Sequence, residues 1–389
     1  MNRVKTISVM ILLVVLAGCG ENKQSNDDLI VVDVLKSYPK KELILQDFMD
    51  VEYIPLEISD EFVCQGWVQD ISKDILIVRN NMNDGDIFVF DRKTGKGIQK
   101  INRKGQGNEE YTGMSKIVVD EDDHEIYVNN HTARKIMVYD IEGNFQRSLK
   151  QNDDLYFFSI FNFDRENLIC NNHNVIDKSP FRIVSKQHGS LIKDITIPFE
   201  EKKSIYVTIR DEATNMINVT SPGTYNPIIQ NFGTWVLVDY SADTIYSYLP
   251  DHTMKPFILR TPSIESMDPE VFLFLNTITD RYYFMESVKI EYDFNKDDGF
   301  PATDLLYDKI EKSIFEYTVY NDDYANKKNV NMKSSSINNE IAVWQRIEAF
   351  ELVEAYEKGE LKDGKLKEIA SKMDAEDNPV IMLIKHKKK

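Results

Sequence analysis

Between residue 50 and the C-terminus, short apolar runs alternate with clusters of turn residues. Strands of four to eight residues with period-two alternation produce this pattern, and it predicts an all-β architecture. One alternating segment recurs at Ile87–Asp91, Ile136–Asp140, Phe181–Ser185, Ile245–Leu249 and Ile314–Thr318. In the first four copies a turn and a further strand follow, at Gly97–Ile101, Phe145–Leu149, Leu191–Ile195 and Lys255–Leu259. Gly95, Gly143 and Gly189 fall in three of those turns, where a hairpin asks for positive φ. Ahead of the copies stand Ile75–Val78, Ile126–Val128, Leu168–Cys170, Trp235–Val238 and Tyr282–Met285, and Ile341–Trp344 makes a sixth. Six second strands imply six units. Repeated antiparallel units with a near-constant hairpin offset predict a six-bladed β-propeller.

A propeller has to close its ring. The last strand, Val380–Ile384, has no strand after it, and Val51–Ile58 has no other partner. The two are expected to pair, so that the early segment becomes the outer strand of the last blade. Pro55 is tolerable at such an edge. Residues 348–373 break the strand pattern. They are rich in Glu, Lys, Leu and Ala and read as a helical hairpin turning at Lys362–Gly364, inserted between the second and third strands of blade six. Blade five carries a long insertion at the same place, Ser287–Ser313. Connections of this type open on one face, so both insertions are expected to project from it as a binding surface. Deleting Glu348–Met373 is then expected to abolish partner capture and spare the β-fold.

The first residues have a separate logic. Arg3 and Lys5 precede an apolar run, Ile7–Leu16, that is too short to span a bilayer. Leu16-Ala17-Gly18-Cys19 follows and resembles a bacterial lipobox. Residues 1–18 read as a lipoprotein signal peptide and Cys19 as the acylated first residue of the mature chain. Each acyl CH₂ contributes about 0.8 kcal/mol, so two or more chains anchor firmly. Gly20 is not the Asp of an inner-membrane retention signal, which favours the outer membrane. Residues 20–28 are polar and read as a flexible tether, and 19–50 as tether and lead-in to a ring spanning 51–389.

Composition bounds the chemistry. The net charge is −17, which argues against a nucleic-acid partner. Cys64 and Cys170, the cysteines besides Cys19, fall on different blades and are expected as separate buried thiols. Trp235, Tyr282 and Tyr283 read first as strand core, with a glycan or peptide groove as the alternative. Candidate ligand-binding residues are Arg103 and Glu110, which flank a glycine-rich step that is not a phosphate loop, and His131 and His173, which follow the second strands of adjacent blades. The six histidines form no zinc-type pair. Asp293–Gly299 resembles a calcium loop, but its glycine comes one position late and Asp304 stands where a bidentate Glu is wanted. No cofactor is identified, calcium being the one considered. No nucleophile–base pair is evident.

Asp50–Glu57, Arg103–Tyr111, Glu357–Ala370 and Asn378–Met382 together resemble the six-bladed β-propeller lipoproteins of Bacteroidetes, loosely similar to TolB-like and NHL-like propellers. Asn108 stands where that family has a proline after the glycine-rich step. The resemblance implies a fold and an envelope location and supplies no catalytic residues. A non-enzymatic binding or scaffold module for a protein, peptide or glycan is the expectation, held at a membrane by its lipid. A metal-dependent hydrolase or lyase with an axial site is the alternative.

Overall fold

The computed structural model describes residues 29–387 apart from 82–83, 152–155, 173–178, 211–214, 224, 295, 297 and 335–336. Cys19, the tether and His173 lie outside the described residues. The chain opens with β1 (Ile30–Asp33), β2 (Lys40–Ile44), the single turn α1 (Leu45–Phe48) and β3 (Met49–Pro55). Blade one is β4 (Trp67–Ile71), β5 (Ile75–Arg79), β6 (Asp86–Asp91) and β7 (Gly97–Asn102). Blade two is β8 (Lys116–Asp120), β9 (Glu125–Asn130), β10 (Lys135–Asp140) and β11 (Phe145–Lys150). Blade three is β12 (Phe157–Asn162), β13 (Asn167–Asn172), β14 (Phe181–Ser185) and β15 (Leu191–Ile195). A separate hairpin follows, β16 (Val207–Arg210) and β17 (Ile217–Thr220). Blade four is β18 (Ile228–Asn231), β19 (Thr234–Leu237), β20 (Thr244–Tyr248) and β21 (Met254–Thr261). Blade five is β22 (Val271–Ile278), β23 (Tyr282–Lys289), β24 (Ala302–Asp308) and β25 (Ser313–Asn321), with the short β26 (Lys328–Asn329) beside β25. Blade six is β27 (Ile341–Ile347), α2 (Ala349–Glu357), α3 (Lys365–Ala370) and β28 (Val380–His386), completed by β3.

The middle strands of blades one to three are buried over nearly their whole length because both of their faces meet a neighbouring blade. Period-two alternation sorts one strand into two cores. In β5, Leu76 and Val78 pack with Ile54, Ile341, Ile381 and Leu383 of blade six. Ile75 and Ile77 of the same strand pack with Ile117, Ile126, Val128 and Met137 of blade two. A run such as Ile75–Val78 is therefore apolar throughout. The outer β7 and β11 face solvent on one side and alternate instead.

The ring closes as the sequence predicts. β3 pairs antiparallel with β28, from Met49 opposite His386 to Pro55 opposite Val380. At the outer rim, the turn between third and fourth strands meets the end of the preceding blade's outer strand. Gly95, Gly143 and Gly189 occupy these joints with φ of +71°, +85° and +69°. A Cβ on Gly95 would lie 1.9 Å from the Pro55 carbonyl oxygen, and one on Gly189 would lie 2.8 Å from the Leu149 Cβ.

Three expectations change. The lead-in does not stand apart from the ring up to Val51. β1 adds in parallel to β21, and β2 adds in parallel to β25. Residues 30–55 thus form a belt over blades four, five and six in succession. Lys41 of β2 bonds to the buried Asp308 carboxylate at 2.8 Å, and Arg281 reaches the same group at 2.8 Å. In blade five, Ile314–Thr318 belongs to the fourth strand. The third is β24, which the preceding acidic stretch disguised as insertion, so the connection shrinks to 290–301. Finally, the helical hairpin lies where expected, between β27 and β28, but it is not a free projection. Leu352, Leu366, Ile369 and Ala370 share a core with Tyr53, Tyr324 and Val380, and the Ala325 N–H donates to the Glu360 carbonyl at 2.7 Å. Deleting 348–373 would strip this core, so that deletion cannot report on a partner. The thiols behave as read: Cys64 and Cys170 are buried and free, and burial pushes Cys64 up to about 11.

Burial alone would raise the Asp308 carboxyl, but bonds from Arg281 and Lys41 and from the Ile310 and Glu311 N–H groups hold it well below the ordinary range. A depressed carboxyl stabilises the fold above its unfolded value of about 3.9 and loses that contribution as pH falls through its folded value. Asp308→Asn should cost about 2–3 kcal/mol at neutral pH. It should also flatten the fall in denaturant midpoint below about pH 4, which urea titrations at several pH values will read. Gly95→Ala should destabilise by about 2 kcal/mol or more, because the seam leaves no room for a methyl group. The exposed neighbour Lys96→Ala should stay within about 0.5 kcal/mol in the same thermal melts.

Candidate functional site

Successive strands of a blade are antiparallel, so chain connections fall on two opposite faces. Second-to-third connections and blade-to-blade crossings share one face. First-to-second and third-to-fourth turns share the other. Arg103, Glu110 and His131 belong to the first face. The glycine-rich step folds back on itself: Gly105 N–H donates to the Tyr111 carbonyl at 3.0 Å, and the Tyr111 hydroxyl donates to the Gly85 carbonyl at 2.6 Å. Glu110 accepts from the Gly107 N–H at 2.8 Å. Arg103 Nε donates to the Gly143 carbonyl, 2.9 Å away at the joint with blade two. His131 is half-buried, with its ring 6.1 Å from that of Tyr156 and 6.4 Å from that of Phe158. Burial and the nearby Arg79 charge hold it below the usual histidine range. Arg103 and Glu110 are tied into the one folded-back step and His131 into a different connection, and none of the three lines the channel cavity described next.

That cavity opens on the second face. Its volume is about 380 Å³, and the innermost strands or first turns of blades one, two, three, four and six line it. Side chains there lace the inner strands together. Asp70 accepts from the Val119 N–H at 2.8 Å and from the Ile71 N–H at 2.9 Å. Asn162 Nδ2 donates to the Val119 carbonyl at 2.8 Å, and Asn338 Nδ2 donates to the Ile71 carbonyl at 2.9 Å. Lys186 forms a buried pair with Asp120, 2.5 Å apart. Lys116 donates to the Gln69 carbonyl, and its Nζ sits 5.6 Å from the centre of the Phe161 ring. Burial lowers the Lys116 amine, an effect the Asp70 charge opposes. Burial raises the Asp70 carboxyl, which Lys116 and the two backbone donors oppose.

Sequence reasoning did not find these residues. The one available signal was a charged residue opening an otherwise apolar inner strand, Lys116 before Ile117–Val119, and it does not say which strand ends meet. Tyr282 is buried, in keeping with the core reading; Tyr283 is half-buried, and Trp235 is buried in a core while also lining the cavity. In the calcium-like stretch, residues 295 and 297 lie outside the described residues, and Asp304 sits in β24, paired to Lys333 at 2.9 Å. Among the described residues no group of three or more His, Cys, Asp or Glu is placed to hold a metal ion.

The first face carries a second feature. The β16–β17 hairpin interrupts the crossing from blade three to blade four. Its root is fixed: Lys203 pairs with Glu265 at 2.6 Å and Lys202 with Asp239 at 2.6 Å, while Ile205 packs with Tyr240, Ile264 and Phe272. Its body is exposed, with Met216 at 60% and Ile217 at 66%, and Tyr206, Ile209 and Val219 also open to solvent. Val207 and Ile209 lie on one face of the hairpin, Ile217 and Val219 on the other. No third described strand pairs with either edge.

Six blades, an N-terminal closing strand and the belt define a six-bladed β-propeller. Residues 20–343 match the DUF5128 family, described as a 6-bladed beta-propeller, and the chain belongs to that family. Among solved structures it is similar to an exported protein of Bacteroides fragilis, at 15% identity and a TM-score of 0.61, over 92% of this chain and 100% of that one. It also matches a DUF4221 family member of Bacteroides vulgatus at 10% identity and a TM-score of 0.45, over 87% of this chain and 98% of that one. No curated protein matches the chain.

Proposed function

We propose that this chain is a non-enzymatic binding module of the cell envelope, lipid-anchored through Cys19 at the outer membrane and engaging a protein partner through the β16–β17 hairpin. The observation that carries the reading is this hairpin, a rooted element with exposed apolar residues on both faces and unpaired edges among the described strands. Surface of that kind is costly to leave in water, and an isolated hairpin is marginal by itself. A strand or apolar surface from a partner would cover it, with main-chain bonds along the edge and pockets for alternate side chains. The signal-like N-terminus and the exported Bacteroides fragilis neighbour support the envelope location. The looser likeness to TolB-like and NHL-like propellers points the same way, since it concerns scaffolds and no one chemistry.

Replacing Ile209, Ile217 and Val219 together by Ser tests the hairpin. An envelope protein captured by the native chain should bind the triple variant about 30-fold more weakly, a loss of about 2 kcal/mol. The melting temperature should not change, because the hairpin lies outside the blade cores. Equal capture by the folded variant would remove the hairpin from the reading. The anchor is tested separately. Cys19→Ala should abolish incorporation of labelled fatty acid and move the protein from the membrane to the soluble fraction, and continued labelling would refute the assignment of Cys19.

A further inference from the structure

The channel cavity holds an amine that the fold leaves without a direct ion pair, Asp70 acting on it only from beyond that distance. Lys116 Nζ donates to the Gln69 carbonyl, and among the described residues no carboxylate comes within ion-pair distance of it. Lys186, a few side chains away in the same cavity, is paired to Asp120. The face of Phe161 supplies an apolar wall beside the amine. Asp70 is the carboxyl whose charge reaches Lys116, and backbone N–H groups hold it in place on both oxygens. Asn162 spends its amide N–H on a carbonyl and leaves Oδ1 without a partner in the cavity wall.

We propose that Lys116 is a covalent capture site for small aldehydes, which it holds as a reversible imine inside the channel. The site is distinct from the hairpin, lies on the opposite face and does not depend on the reading of the hairpin. The deprotonated Nζ attacks the carbonyl carbon. A C–N bond forms, and the carbonyl π pair moves to oxygen, which takes up the nitrogen's proton to give a carbinolamine. Asp70 then protonates the hydroxyl, the C–O bond breaks and water leaves. The released water relays nitrogen's remaining proton to the Asp70 carboxylate, and the imine remains. One aldehyde and one amine become one imine and one water, with no oxidant or reductant. A half-buried lysine without an ion pair suits this chemistry, because burial disfavours the ammonium form that cannot attack. A carboxyl raised by the same burial is matched to carry the proton. A cavity of about 380 Å³ admits a small aldehyde or hydroxyaldehyde and excludes a polymer.

The test uses the full-length protein, glycolaldehyde as probe and cyanoborohydride to trap the imine at neutral pH, followed by peptide mass mapping. Lys116 should be modified about tenfold or more faster than Lys358, an exposed lysine whose pairing with Glu354 raises it. Asp70→Asn should slow labelling at Lys116 and leave Lys358 unchanged. Lys116→Arg, which retains a donor for the Gln69 carbonyl, should lose the preferred adduct and keep the melting temperature. Labelling of Lys116 no faster than Lys358 in the native protein would overturn the proposal and reduce Lys116 to a strut between blades one and two. That comparison needs no variant, so it stands even if a substitution fails to fold.

Discussion

The hydrogen-bonded seam between β3 and β28 is the constraint on which the rest of the molecule depends. Each blade buries both faces of its middle strands against two neighbours, so no blade has a complete core of its own. An open ring would leave Leu76, Val78 and Phe88 of blade one facing water in place of Ile381 and Leu383. Closing it with a strand from the other end of the chain removes the open edge and makes all six inter-blade cores contingent on one pairing. The Gly95 joint lies at this seam, which is why its missing Cβ matters more than those of the other rim glycines.

The belt and the helices strengthen the same half of the ring. β1 and β2 add outer strands to blades four and five before β3 reaches blade six, so a strand leaving the seam would have to pull against two parallel pairings first. The Lys41–Asp308–Arg281 cluster fixes the belt at mid-length. The helical hairpin covers Tyr53 of the closing strand and Tyr324 behind blade five, which makes it part of the closure apparatus. An element that reads as a projecting insertion thus serves stability, and exposure passes to the shorter β16–β17 hairpin.

The two faces divide accordingly. One bears the blade crossings and the apolar hairpin, suited to a macromolecular surface. The other opens into a small charged cavity, suited to a small molecule. Both are built from connections held by rigid strands, so neither requires the propeller to move.

Much of the architecture was legible in the chain. The six second strands, from Ile75–Val78 to Ile341–Trp344, determined the blade count, and in three units a glycine at a fixed offset marked the positive-φ turn. The pairing of Val51–Pro55 with the last strand followed from the need to close the ring. The buried, separate state of Cys64 and Cys170 followed from their places in different blades. The belt, the strand β24 and the packing of α2 and α3 were not legible. A four-residue strand such as Ile30–Asp33 carries too little alternation to show its partner more than 200 residues away, and apolar helix positions do not say what they cover. The cavity is the clearest case. Asp70, Lys116 and Asn162 lie on β4, β8 and β12, three inner strands that sequence could place only within their own blades. Folding wound those blades about one axis, and the axis alone put a lysine amine, a carboxyl and an aromatic ring into one space.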